Sequence, residues 1–143
     1  MKILRRNSLF AVNVVLPLMC GLFIYLTKPE TSLLSHLFAG FCSVLPVIRY
    51  PLIIQYYAAD FLWAYSLFFC LRLSLGDELK GKYNVFLVLL EAVVAMLLEY
   101  LQILRVVPGT FDIFDMGTEL LAIFIGLLVL NIIEWRNRDY EKE

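Results

Sequence analysis

Four long apolar runs separated by short polar links set the pattern of the chain. The first, Asn7 to Thr27, carries no charge and follows Lys2, Arg5 and Arg6. A second runs from about Tyr56 to Leu75. A third runs from about Tyr83 to Leu104, interrupted by Glu91 and Glu99, and a fourth from about Met116 to Trp135, with Glu119 near its start. A bilayer core takes about 20 apolar residues as a helix. The links, residues 76–82 and 105–112, are polar, and the second holds a Pro108-Gly109 turn. The pattern therefore predicts an all-α membrane protein with four transmembrane helices in one domain, residues 1–143. The N-terminus begins like a signal peptide, but its run exceeds a typical signal core and no small-x-small cleavage site follows. Met19 before Cys20 also spoils a lipoprotein-type site, so an uncleaved first span is expected.

The stretch near 33–48, LLSHLFAGFCSVLPVI, fits the pattern less simply. Its bulky residues at 33, 34, 37, 38, 41, 44, 45 and 48 form a helical stripe, with Ser35, His36, Ala39, Gly40 and Ser43 opposite. It is short and carries Pro46 near its end, which fits a short interfacial or partly inserted helix. The alternative is a fifth span. Charge decides between them. With four spans and the N-terminus inside, nine basic residues lie on the inner side: Lys2, Arg5, Arg6, Arg72, Lys80, Lys82, Arg136, Arg138 and Lys142. Three lie outside, namely Lys28, Arg49 and Arg105. Five spans would put five inside and seven outside. The positive-inside rule favours four spans with both the N and C termini cytoplasmic. Tyr56, Tyr57 and Trp63 then mark the outer end of the second span, and Trp135 the inner end of the fourth.

Composition supports lipid as the solvent. Apolar residues make up 62% of the chain, against the 45–50% or so of soluble domains, and mean hydropathy is +0.81. A net charge of −1 and the lack of a basic face with interleaved aromatics argue against nucleic acid as a partner. Cys20, Cys42 and Cys70 lie in apolar stretches without CxxC spacing and read as small buried hydrophobes. Asn13, Pro17 and Gly21, at fourth-residue spacing, mark a packing face or kink in the first span. The charged RNRDYEKE end reads as frayed or helical in water.

The acids near lipid carry the chemical interest. Asp60 lies within about one turn of the outer start of the second span. Glu99 and Gln102 share a face at the outer end of the third, close to Arg105. Asp112, Asp115 and Glu119 share a face at the outer start of the fourth. This predicts a carboxylate-rich polar pocket at one end of the bundle, with Arg49 and Arg105 on the same side. Either Asp112 or Asp115 also suits a helix N-cap. Glu91 is an intramembrane acid two turns deeper than Glu99 on the same face. Crowded carboxylates raise each other's pKa, and three remedies are open: protonation, pairing with Arg49 and Arg105, or a cation. An all-oxygen cluster suits a hard divalent cation such as Mg²⁺ or Ca²⁺; no other cofactor is expected. His36 reads as an interfacial polar group. No GxSxG, HExxH, Walker loop or dinucleotide glycine turn is present.

Asp-Phe-Leu-Trp-Ala-Tyr (60–65), Glu-x-x-Gln (99–102) and Gly-Thr-Phe-Asp-Ile-Phe-Asp (109–115), leading into a span with Gly126, resemble the VanZ-like family of small bacterial membrane proteins. The resemblance covers roughly residues 57–130. It departs where the family commonly has Asn-x-x-Gly early in the last span, since Glu119 occupies that region here. It implies a multi-pass protein of the bacterial cytoplasmic (inner) membrane and the candidate residues Asp60, Glu99, Gln102, Asp112 and Asp115. The namesake is associated with resistance to glycopeptides such as teicoplanin. The expected function is a cell-envelope role in antibiotic resistance, with the pocket binding an envelope lipid, a lipid-linked or amphiphilic ligand, a drug or a cation. Two alternatives stand beside it: a membrane-embedded enzyme using acid/base or metal-assisted chemistry on an envelope lipid, and a non-enzymatic accessory or immunity-type subunit.

Overall fold

A computed structural model describes residues 2–29, 45–75, 82–106 and 112–139 of the chain. Among the described residues, four α-helices make an all-α bundle: α1 (Lys2–Thr27), α2 (Ala59–Ser74), α3 (Lys82–Ile103) and α4 (Ile113–Asp139). Three hold stretches long and apolar enough to cross a membrane: Arg6–Thr27, Asn84–Ile103 and Ile113–Asn137. The 16 residues of α2 reach only about 24 Å at helical rise, less than the bilayer core. A π-helical turn over Ile54–Ala58 precedes it without a break. With Leu52 and Ile53 also helical, the run reaches about 35 Å.

The ends of these helices follow local chemistry. Pro51 stands just before the helical run, and its carbonyl accepts from the Ile54 and Gln55 amides at 2.9 and 3.0 Å. A proline here lacks only an amide hydrogen that the first turn leaves unused. At the end of α3 the Arg105 amide donates to Gln102 O at 2.9 Å and the Val106 amide to Leu101 O at 3.0 Å. This is a Schellman ending, and Arg105 takes its left-handed position, with φ 56°, where glycine is usual. The fourth helix starts three residues before the expected Met116, because Asp112 caps it (see below) and Asp115 N bonds Asp112 O at 3.1 Å. It also continues through polar Arg136 and Asn137 to Asp139.

The expected helix near 33–48 falls largely outside the described residues, as do His36 and Cys42. Its last part differs from expectation: residues 45–48 are not helical. Pro46 restricts the residue before it to extended backbone and supplies no amide to a helix. Instead the segment folds back on α1, with Ile48 N bonded to Thr27 O at 2.8 Å and the hydroxyls of Tyr50 and Thr27 2.8 Å apart.

Helices α1 and α2 run antiparallel and form a tight seam. Phe10 meets Phe69 with ring centroids 5.9 Å apart, and Tyr65 Oη donates to Asn13 Oδ1 at 2.6 Å. Asn13 Nδ2 in turn donates to Leu9 O at 2.8 Å, and Ser66 Oγ donates to Val14 O at 3.0 Å. Pro17 and Gly21 are buried on the same face. Gly21 lets the backbone approach Trp63 so closely that a Cβ there would sit 2.6 Å from the indole Cδ1. Small and hydrogen-bonding residues are what helix seams in lipid use, since apolar contact alone gains little over lipid tails.

Helices α2 and α4 run parallel. Tyr57 faces Phe114, Phe68 lies on Gly126, and Arg72 meets Glu134. Phe10, Phe68, Phe69, Leu87, Ile123 and Leu130 form the buried core, so every helix contributes to it. Elsewhere the surface is apolar: Leu16, Leu89, Val93 and Phe124 are 60%, 59%, 59% and 56% exposed. Side chains like these in number are stable only against lipid or a partner.

At the end of the bundle away from Tyr57, Arg72 is buried, 4% exposed. Its Nη2 donates to Glu134 Oε1 at 3.0 Å. Its guanidinium also lies over the Phe10 ring at 5.6 Å, and that of Arg6 lies 5.8 Å from the same ring. A residue counted as a flanking inner charge thus serves as an interhelical tie.

Candidate functional site

The acids separate into a set at the helix ends and an inner, deeper set. The first forms where the π turn and α4 begin. Asp112 is the N-cap of α4: the Phe114 amide donates to its Oδ1 at 2.9 Å. The cap satisfies an amide that the first helical turn leaves without a backbone acceptor, and its negative charge suits the N-terminal helix dipole. Tyr57, one residue before the end of the π turn, lies in hydrogen-bonding range of the Asp112 carboxylate and within electrostatic reach of Asp115. Its ring packs against Phe114 at 6.4 Å between centroids. A π turn carries an extra residue and so rotates the side chains before it relative to those after it. Here that turn carries the pair Tyr56 and Tyr57.

Asp60 stands in the first turn of α2 and is partly buried. Gln102 is partly buried too, and its carbonyl belongs to the ending of α3. Arg49 and Arg105 are exposed and make no ion pair with a carboxylate among the described residues. The Glu99 side chain lies outside the described residues. The described residues hold no group of three His, Cys, Asp or Glu able to take a metal ion.

The inner set is Glu91 and Glu119. Glu91 is 1% exposed, and neither of its oxygens has a hydrogen-bond partner among the described residues. The Phe68 main chain approaches it from α2, and Glu119 on α4 acts on it electrostatically. Glu119 therefore belongs with the deeper acid. It shares a helical face with Asp112 and Asp115, but six residues of helix separate it from the start of α4, about 9 Å along the axis.

Tyr57 and Arg72 escape a reading of the chain for acids. Tyr57 looks like an aromatic belt residue and Arg72 like a flanking charge. Their positions within a turn of a span end, each opposite a carboxylate on another span, are the signal that marks them.

Capping by Asp112 has a testable consequence. Asp112→Ala removes the cap and is expected to cost about 0.5–2 kcal/mol. Asp112→Asn keeps a capping oxygen and should lose only a few tenths. Detergent unfolding curves of the two variants check this; equal losses would argue against capping.

Fold and surface together define a multi-pass α-helical membrane protein. Comparison of the chain with protein-family models, with curated proteins and with solved structures gives no match.

Proposed function

We propose that the chain is a VanZ-like envelope protein of the bacterial cytoplasmic membrane with both termini in the cytoplasm. The outer ends of its helices hold a polar site that binds an envelope-lipid headgroup or an amphiphilic glycopeptide of the teicoplanin type. Supporting the membrane placement is the apolar outer surface. The site itself is supported by one observation above the rest: Tyr57, in the π turn ahead of α2, packs on Phe114 and lies within electrostatic range of Asp112 and Asp115 at the start of α4. Glu-x-x-Gln at 99–102 ends the neighbouring span, and Arg49 and Arg105 are exposed and free of carboxylate partners among the described residues. Exposed guanidinium groups at the same end of the bundle as Asp112 and Asp115 match a ligand that carries both phosphate or carboxylate and amine groups. The family part of the reading rests on the short motifs at 60–65, 99–102 and 109–115.

Susceptibility and envelope-lipid profiles of a deletion strain, complemented with variants, test the reading. Glu99→Gln and Asp115→Asn are expected to lose glycopeptide protection at unchanged membrane levels. Asp112→Asn is the informative change at 112, because it removes the charge and leaves a cap. Full protection in all three variants would refute a binding role for the acids. It would favour the accessory-subunit reading, for which the capping role of Asp112 is already an argument.

A further inference from the structure

Glu91 has the burial of a core residue and the chemistry of an acid. It lies within the span Asn84–Ile103, one turn beyond Leu87, which is itself 2% exposed. Water does not reach it. From α2 it meets the Phe68 main chain, the polar group nearest it on that helix, at a geometry too poor for a full hydrogen bond to either oxygen. From α4 it meets Glu119, the charged group acting on it among the described residues, and that group is another acid. No described cation faces it. An ionised carboxylate here would lack water and counter-charge, with only the Phe68 main chain beside it, and a second negative charge nearby adds repulsion.

Intramembrane acids of this kind are held for what they bind. We propose that Glu91 is a proton-binding site inside the membrane, carrying one exchangeable proton whose occupancy depends on the charge of Glu119. Uptake adds one proton to the carboxylate and gives the neutral acid; release returns that proton and leaves the carboxylate. No other bond changes. The proposal stands without any ligand at the outer site.

Infrared spectroscopy of the full-length protein in phosphatidylcholine vesicles tests it directly. Wild type at neutral pH is expected to show a protonated-carboxyl C=O band that Glu91→Gln lacks. The band should shift in D₂O, because the proton exchanges. It should weaken at alkaline pH, with a midpoint that belongs to the coupled pair Glu91 and Glu119. Glu119→Gln should move that midpoint while leaving the band present. Identical spectra for wild type and Glu91→Gln would overturn the proposal, since the measurement reads the acid in the wild-type fold itself. Loss of the band on adding Na⁺ or K⁺ at fixed pH would overturn it in favour of a cation site.

Discussion

Glu134→Leu is expected to destabilise the bundle by about 3–5 kcal/mol, the loss typical when one member of a buried ion pair is removed. The two side chains are unequally buried, with relative exposures of 5% for Arg72 and 26% for Glu134. Loss of the glutamate takes away the carboxylate 3.0 Å from the deeper guanidinium. Loss of the arginine, as in Arg72→Met, leaves a carboxylate that can still turn toward water or headgroups, so it should cost less. The double variant should recover most of the loss, because apolar residues of similar volume remove both charges at once. Unfolding by SDS in mixed micelles measures all three. Additive losses in the double variant would show that the two residues act separately. The stacking of Arg72 over Phe10 predicts a residual deficit, about 0.5–1 kcal/mol or somewhat more in a desolvated setting.

A methyl group at position 126 is expected to be the most damaging small change in the apolar core. An added Cβ would meet Phe68 Cδ1 at 2.9 Å and Cγ at 3.1 Å. Phe68 is 0% exposed, and its Cγ stands too close to the backbone to swing away. Gly126→Ala must therefore push α4 off α2, with a cost of about 1–3 kcal/mol. Gly21 offers the contrast. There the clash is closer on paper, 2.6 Å to Trp63 Cδ1, but Trp63 is 37% exposed and its ring can rotate toward lipid. Gly21→Ala should cost less than Gly126→Ala. The opposite order would mean that ring mobility does not decide the outcome. Because Phe68 also approaches Glu91, Gly126→Ala should perturb the Glu91 carboxyl band as well, which Gly21→Ala should leave alone.

Helix identity was legible in the chain because lipid imposes a simple rule on it. A run of about 20 apolar residues has few alternatives to a helix when every backbone amide needs a partner. The spans beginning near Asn7, Tyr83 and Met116 appear within a few residues of their expected positions. The face at Asn13, Pro17 and Gly21 was legible too, since fourth-residue spacing fixes which side chains share a helix side. The stripe through Ile48 misled at its end, because bulky residues kept helical spacing past a proline that breaks the backbone pattern. The helical run that leads into α2 begins at Leu52, four residues before the expected Tyr56, and passes through a π turn that the apolar window does not signal.

The candidate site was legible as a list and not as an arrangement. Spacing along α4 put Asp112, Asp115 and Glu119 on one face, but a face runs the length of a helix and does not say which neighbour each residue meets. Asp112 and Asp115 meet Tyr57, and Glu119 meets Glu91. Glu91 shows the difference best. From the sequence it is an acid two turns deeper than Glu99 on the same face, a structural glutamate as readily as a functional one, and nothing in the spacing names Glu119 as its neighbour.

By itself the sequence determined the solvent and the helical class, since both follow from period, length and the cost of charge in hydrocarbon. Only the tertiary structure decided which acids work as a helix cap, which lie buried with no donor, and which arginine is tied to a glutamate. Each of those depends on how helices are rotated and set in depth against one another, and side-chain packing across the seams fixes both.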